Sequence, residues 1–145
     1  MRLTGTRVIQ APREAVWAFL MAPDRLRRCL PGCERFEAAG PDRFTATLRL
    51  GVAFLTGTYG GTLRVVEQRR PEHLTLLVEG GGSLGTLVAA GTLTFSDFGG
   101  ATRVAYDGDA TVRGAVAAVG ERVMAATADR LIAAFFHCVA SHVER

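Results

Sequence analysis

Residues 115–143 read AVAAVGERVMAATADRLIAAFFHCVASHV and predict one long helix near the end of the chain. At 100° per residue, the apolar side chains of this segment collect on one wide stripe. The stripe contains Val123, Met124, Thr127, Leu131, Ile132, Phe135, Cys138 and Val139. Charged residues such as Asp129 and Arg130 lie mostly on the opposite side. A stripe of this width has to be buried against another large apolar surface.

The segment before the helix supplies such a surface, because its apolar and polar residues alternate with a period of two. Residues 44–50 are typical: every second residue is apolar, and Thr45, Thr47 and Arg49 stand between them. Turn sequences rich in Gly and Pro separate such runs at residues 40–42, 70–72 and 99–100. This pattern predicts antiparallel strands with one apolar face and one solvated face.

The N-terminal part predicts a strand at residues 3–9, followed by two short helices. Pro12 suits the start of the first helix, and Pro23 begins the second, which ends near residues 30–32. The predicted fold class is therefore α+β, a curved antiparallel sheet of about seven strands wrapped around the long C-terminal helix. We predict a single domain over residues 1–145.

Length and composition narrow the class of protein. The chain has 145 residues, of which 48% are hydrophobic and 21% are charged, so one sizeable core is expected. All seventeen basic residues are Arg, which excludes a Schiff-base or P-loop lysine. The net charge of +3 is spread along the chain, and nucleic acid is not an expected partner. We find neither a secretory signal nor an uninterrupted apolar run of membrane-spanning length, so a cytoplasmic protein is expected.

The cysteines and histidines do not predict a metal site. Cys29, Cys33 and Cys138 are an odd number without CxxC spacing, and we expect free thiols in a reducing cytosol. The three histidines are scattered along the chain.

The apolar sheet face is unusually rich in small residues, namely Ala46, Gly57, Gly61, Ala89, Gly91, Gly108 and Ala110. Two interpretations remain open. The small residues either let the helix pack closely on a bent sheet, or they leave an apolar cavity beneath it.

The predicted cavity face holds almost no polar groups apart from the hydroxyls of Tyr59 and Tyr106. Neither an acid–base pair nor an activated nucleophile is visible, so we predict a binding site without catalytic residues. The candidate cavity residues are Trp17, Leu48, Gly57, Tyr59, Gly61, Ala89, Gly91, Tyr106, Gly108, Ala110, Met124, Leu131 and Phe135.

Residues 51–55, GVAFL, are apolar at a position where a hairpin loop is normally polar. Either this loop folds back onto the core, or it forms an exposed lip at the cavity mouth. In the second case, Val52, Phe54 and Leu55 contact a membrane surface together with Arg25 and Arg28. The arginines alternatively form an ordinary solvated helix face.

Several motifs resemble a known family. Residues 11–17, APREAVW, resemble the start of START-like (SRPBCC) domains. Residues 30–34 (LPGCE), residues 79–82 (EGGG) and the pair Phe135-Phe136 are similar to the CoxG-like family of carbon monoxide dehydrogenase subunits within that superfamily. The resemblance extends over essentially the whole chain.

The resemblance implies a helix-grip fold, as in START and Bet v1-like proteins, with a hydrophobic cavity between sheet and helix. It also implies an accessory role to a molybdenum dehydrogenase of the carbon monoxide dehydrogenase or xanthine oxidase type. A quinone- or lipid-like ligand is implied, and no tightly required cofactor. Many family members have a C-terminal extension for membrane attachment, whereas this chain ends at Arg145. We therefore expect at most transient contact at the cytoplasmic membrane face.

Three hypotheses follow. The first is a non-enzymatic binding protein for a lipophilic small molecule. The second is a START-like cyclase or lyase for an aromatic or polyketide substrate, with Tyr59 and Tyr106 as the acid–base pair. The third is a protein-interaction module with a filled core.

Overall fold

A computed structural model describes residues 1–51 and 53–144. The strands are β1 (Arg2–Ile9), β2 (Cys33–Ala38), β3 (Arg43–Leu50), β4 (Gly57–Arg69), β5 (His73–Gly82), β6 (Gly85–Phe98) and β7 (Ala101–Arg113). The helices are α1 (Arg13–Leu20), α2 (Pro23–Leu26) and α3 (Glu121–Val143). Three 3₁₀ turns, Arg27–Cys29, Ala53–Leu55 and Ala115–Val119, complete the chain. The predicted helix-grip architecture is confirmed.

The seven strands form one antiparallel sheet in the order β1-β7-β6-β5-β4-β3-β2. Hairpins connect the consecutive strands from β2 to β7. Strand β1 pairs with β7, and it therefore forms the sheet edge opposite β2. In this pair Leu3 lies opposite Gly108. Along β4, half-buried Tyr59, Gly61 and Leu63 alternate with exposed neighbours. The period of two in the sequence therefore marks the face that α3 covers.

A filled core occupies one end of the molecule, where α1 and the last turns of α3 meet the sheet. Trp17 packs edge-on against Phe95, with ring centroids 5.6 Å apart. Val104 and Val139 are fully buried beside them. The buried Thr102 hydroxyl donates a hydrogen bond of 2.7 Å to the Ala11 carbonyl, which ties the turn before α1 to β7.

The prediction of one continuous helix over residues 115–143 was wrong at its start. Residues Ala115–Val119 form a 3₁₀ turn, and Gly120 has φ +93°, a left-handed value that interrupts the helix. The predicted stripe also needs correction, because Val123 is 46% exposed in the first turn of α3 whereas Phe136 is buried.

The length and mean hydropathy of α3, 1.4 over an 18-residue window, would suit a membrane span. Core helices of soluble proteins share both properties, so this is weak evidence for a membrane helix. Here the apolar residues Leu131 and Ile132 line the space between helix and sheet.

The expectation of three free cysteines was wrong for two of them. Cys29 and Cys138 form a disulfide, with Cα atoms 5.4 Å apart, and Cys33 stays free. The bond joins the 3₁₀ turn after α2 to the C-terminal half of α3. Spacing could not reveal it, because the partners are 109 residues apart and meet only when α3 folds over the sheet.

We predict that Cys138→Ser lowers the free energy of unfolding by about 2–4 kcal/mol, because the disulfide restricts a long loop of the unfolded chain. Urea denaturation followed by circular dichroism under non-reducing conditions measures the change. Cys33→Ser is the matched control and should leave stability nearly unchanged. Equal stability of the oxidised and reduced wild-type protein would contradict the prediction.

Candidate ligand-binding site

Two adjoining apolar chambers lie between the sheet and α3. Chamber one has a volume of about 430 Å³ and chamber two about 400 Å³. Both are lined by Leu30, Pro31, Leu63, Val78 and Leu131. These shared residues lie where the two chambers adjoin, a boundary that we call the neck.

The chambers lie under different parts of α3. Chamber one lies under its C-terminal half, between Ile132, Phe135 and Phe136 and the sheet, and α1 and α2 close it. Chamber two lies under the N-terminal half, where Met124 faces the strands. Each volume falls within the range of small-molecule sites, about 300–1,000 Å³.

The space exists because α3 is held mainly at its margins. Its main contacts are with β1, α1 and the 3₁₀ turns Arg27–Cys29 and Ala115–Val119. Opposite it, Ala46 and Ala89 present only methyl groups to the cavity. The helix therefore spans a gap that these small side chains do not fill.

Most of the predicted cavity residues line the chambers. Chamber one is lined by Ala89, Gly91, Tyr106, Gly108, Ala110, Leu131 and Phe135. Chamber two is lined by Leu48, Tyr59, Gly61, Met124 and Leu131. Whether they contact a ligand stays a prediction.

Two predicted cavity residues lie elsewhere. Trp17 is only 2% exposed and belongs to the filled core, because α1 directs its ring against Phe95. Gly57 lines neither chamber, and it begins β4 with φ +143°. The apolar character of Trp17 could not distinguish a core position from a cavity wall.

The glycines bear on the choice between close packing of the helix on the sheet and a cavity beneath it. Gly91 and Gly108 lie opposite each other on β6 and β7. A Cβ atom would lie 3.1 Å from the Asp107 carbonyl oxygen at Gly91, and 3.0 Å from the Ala90 carbonyl oxygen at Gly108. The close approach is therefore between strands, and the cavity remains between sheet and helix.

The two tyrosines lie in different chambers, and their role as an acid–base pair stays a prediction. Tyr59 faces chamber two from β4, and Tyr106 faces chamber one from β7. These strands are three spacings apart in the sheet, about 14 Å along its surface. Acid–base catalysis requires both groups within hydrogen-bond reach of the reacting centre.

The tyrosine hydroxyls also differ in their surroundings. The Tyr106 ring stacks on Phe136, with centroids 5.9 Å apart, and its hydroxyl end lies over Gly5. Among the described residues, the Tyr59 hydroxyl is the one buried side-chain oxygen or nitrogen without a hydrogen-bond partner.

Carboxylate residues along the chambers do not point into them. Glu79, Asp107 and Asp109 contribute backbone to the walls, and their side chains belong to the outer face of the sheet. The Asp107 carboxylate accepts a hydrogen bond of 2.9 Å from Arg2 there. The described cavity lining therefore has apolar side chains and a few hydroxyl groups.

The two described apolar side chains of the predicted lip are half-buried at the cavity wall. Phe54 and Leu55 line the end of chamber two, while Val52 lies outside the described residues. Arg25 and Arg28 are exposed, and the Arg25 guanidinium lies 4.9 Å from the centre of the Phe19 ring. Membrane contact of these residues stays a prediction.

One cluster that the sequence analysis missed surrounds the disulfide. The Nδ1 atom of His142 lies 3.9 Å from the Cys29 sulfur and 3.8 Å from the Cys138 sulfur. These three residues could hold a soft metal ion as thiolates and imidazole, but only after reduction of the disulfide. The i, i+4 spacing of Cys138 and His142 was the available sequence indication.

The free cysteine has a different environment. Burial raises the pKa of the Cys33 thiol above its ordinary value. A smaller thiolate fraction at neutral pH makes it a poor nucleophile.

The cavity between a long C-terminal helix and a curved seven-stranded sheet defines a helix-grip protein of the START-like class. The chain belongs to the CoxG family of carbon monoxide dehydrogenase subunits, whose model matches residues 5–144. A search of curated protein sequences finds no significant match.

Solved structures share the fold of this chain. A conserved protein from Geobacillus kaustophilus is 32% identical, with a TM-score of 0.96 over 99% of this chain and 95% of that one. A START superfamily protein from Mycobacterium smegmatis is 11% identical, with a TM-score of 0.79 over 99% and 97% of the two chains.

An aromatase/cyclase, ZhuI from Streptomyces sp. R1128, is 17% identical, with a TM-score of 0.76 over 100% and 94% of the two chains. The similarities to the START superfamily protein and to the aromatase/cyclase, at 11% and 17% identity, establish the fold alone. Family and fold together support a domain that binds a hydrophobic ligand.

We predict that Ala128→Phe weakens binding of the apolar fluorophore N-phenyl-1-naphthylamine by about tenfold, because the added ring occupies chamber two. Fluorescence titration gives the dissociation constant. Ala126→Phe is the matched control, since Ala126 is exposed on the same helix and the helix-propensity change is the same. Equal effects of the two substitutions would contradict a ligand in this chamber.

Proposed function

We propose that this protein binds a quinone- or lipid-like molecule in the two-chamber cavity and serves a molybdenum-containing dehydrogenase as an accessory protein. The observation that supports binding most strongly is the pair of adjoining apolar chambers, with volumes of about 430 and 400 Å³. Membership of the CoxG family, which is named for a subunit of carbon monoxide dehydrogenase, supports the accessory role.

Hydrophobic burial is sufficient to hold such a ligand. Each buried methylene contributes about 0.8 kcal/mol, so a chain of ten contributes roughly 8 kcal/mol before the entropy cost of association. A lipid or isoprenoid tail therefore needs few directional contacts. The near absence of polar side chains in the chambers is consistent with this mode of binding.

A transient contact with the cytoplasmic membrane face would give the protein access to such a ligand. Phe54 and Leu55 lie at the end of chamber two, and exposed Arg25 and Arg28 could approach anionic headgroups. We propose these residues as the membrane-facing group.

The two rival hypotheses receive less support. The START-like fold is shared with an aromatase/cyclase, but Tyr59 and Tyr106, the candidate acid–base pair, line different chambers. The interaction module required a filled core, and the space under α3 is hollow.

We expect organic extraction of the freshly purified protein to release a lipophilic molecule in near-equimolar amount. Mass spectrometry and the ultraviolet spectrum of the extract identify it. The Ala128→Phe variant should yield less of the same molecule than Ala126→Phe does. An empty extract, repeated after incubation with membrane lipids and quinones, would contradict ligand binding.

The accessory role has a separate test. An affinity-tagged copy expressed in the native host should retain components of a molybdenum dehydrogenase, identified by mass spectrometry of the captured proteins. Capture without any such component would contradict the accessory role and leave ligand binding in place.

A further inference from the structure

A cluster of potential metal ligands lies outside the cavity, where the 3₁₀ turn Arg27–Cys29 meets the last turns of α3. The sulfur atoms of Cys29 and Cys138 and the Nδ1 atom of His142 all lie within 4.8 Å of one another. The lining of the two chambers includes none of these three residues. Neither the cavity nor the disulfide accounts for an imidazole placed beside both sulfurs.

The separations within this cluster suit a single metal ion. The His142 Nδ1 atom lies 3.9 Å from the Cys29 sulfur and 3.8 Å from the Cys138 sulfur. In a tetrahedral zinc site, Zn–S distances of about 2.3 Å and Zn–N distances of about 2.0–2.1 Å place sulfur and nitrogen ligands about 3.6 Å apart. The imidazole is therefore close to ligand distance from both sulfurs, and the sulfurs themselves have to separate.

Packing fixes the position of the imidazole ring. The ring of Phe19, which is fully buried, lies against it with centroids 5.4 Å apart and planes inclined by 40°. Cys29 is also buried, whereas His142 is exposed to solvent. The cluster is thus anchored in the protein on one side and accessible to a metal ion on the other.

The hydrogen bonds of His142 are compatible with metal binding. Its Nδ1 atom lies 2.9 Å from the Cys138 carbonyl oxygen and 3.4 Å from the Ser141 hydroxyl oxygen. The Ser141 hydroxyl also donates a hydrogen bond of 2.7 Å to the Cys138 carbonyl, so this carbonyl keeps a partner when the imidazole binds a metal. A neutral imidazole with its proton on Nε2 presents the Nδ1 lone pair to the ion.

The donor atoms define the class of metal. Thiolate and imidazole ligands favour zinc and other soft or borderline ions, whereas Mg²⁺ and Ca²⁺ prefer oxygen ligands. Three protein ligands leave one position of a tetrahedral zinc ion for water. The exposure of His142 is consistent with water at that position.

We propose that reduction of the Cys29–Cys138 disulfide creates a zinc site whose protein ligands are Cys29, Cys138 and His142. A dithiol supplies the two electrons: one of its thiolates attacks a sulfur of the disulfide, and its second thiol displaces the first. The protein is left with two thiols, and the dithiol becomes a disulfide. Binding of Zn²⁺ then releases one proton from each thiol, and the metal keeps its oxidation state.

The zinc ion replaces the disulfide as the link between the turn and α3. The turn leads directly into Leu30 and Pro31, which line both chambers at the neck. Either link keeps this part of the cavity wall attached to α3, while the reduced, metal-free protein lacks both. The site itself does not depend on what the cavity binds.

Cobalt(II) is the probe for the test, because it occupies zinc sites and absorbs in the near ultraviolet when a thiolate is bound. The protein is reduced with dithiothreitol, which is then removed by anaerobic gel filtration. Titration with cobalt chloride should give thiolate-to-cobalt absorption that saturates at one equivalent. Zinc should abolish this absorption and magnesium should not, and the oxidised protein should show none.

His142→Gln tests the third ligand and keeps both cysteines. Loss of an outer-shell partner of a metal ligand costs about 10–100-fold in affinity, so loss of a direct ligand should weaken cobalt binding at least about tenfold. His137→Gln is the matched control, since His137 is exposed on the same helix and lies outside the cluster. Cys33→Ser is the control for the remaining thiol. Both controls should bind cobalt as the wild type does.

Thiol titration and circular dichroism complete the test. Dithiothreitol should raise the number of titratable thiols in the native protein from one to three, and the cobalt-bound protein should keep its helical signal. A disulfide that resists the dithiol, or a reduced protein that unfolds and is not refolded by zinc, would overturn the proposal. Equal cobalt affinity of His142→Gln and His137→Gln, or loss of the absorption in Cys33→Ser, would overturn the assignment of ligands.

Discussion

The structure depends on how α3 is supported. Its last turns are fixed to a filled core, where Val139 and Val143 are buried, and the disulfide from Cys138 to Cys29 adds a covalent attachment. The N-terminal half is held by the 3₁₀ turn before it. Between these supports the helix spans the hollow. Were the core to extend under the whole helix, apolar burial would increase and the cavity would be lost.

Because of this support, the end of α3 contributes to the stability of the fold, and the rest of the helix contributes to the cavity wall. The core end buries Trp17, Phe19 and Phe95 with hardly any exposed surface. The other end presents half-buried Met124 and Leu131 to empty space. A ligand that enters the cavity makes apolar contacts with side chains of α3 and the sheet that do not contact each other. Its binding therefore also stabilises the folded state.

Features that follow from the periodicity of apolar residues could be predicted from the sequence. Contacts between residues far apart in the chain could not. The alternation in residues 44–50 and the stripe of α3 fix the sheet face and the helix face, so the architecture and most of the cavity lining could be predicted. The Cys29–Cys138 bond could not be predicted, because residues 109 apart meet only in the folded chain. Trp17 was misplaced for a related reason: hydrophobicity indicates burial but does not distinguish a core from a cavity wall.

The glycines connect sheet curvature with cavity volume. Gly61 lies opposite Gly80 on β4 and β5, and Gly91 lies opposite Gly108 on β6 and β7. At Gly61 an added Cβ would lie 2.5 Å from the Glu79 carbonyl oxygen, so a side chain cannot be accommodated without moving the strands. Paired glycines permit a sheet to bend, and they place no side chain under the helix. The same residues that let the sheet curve around α3 therefore leave the space under the helix unfilled.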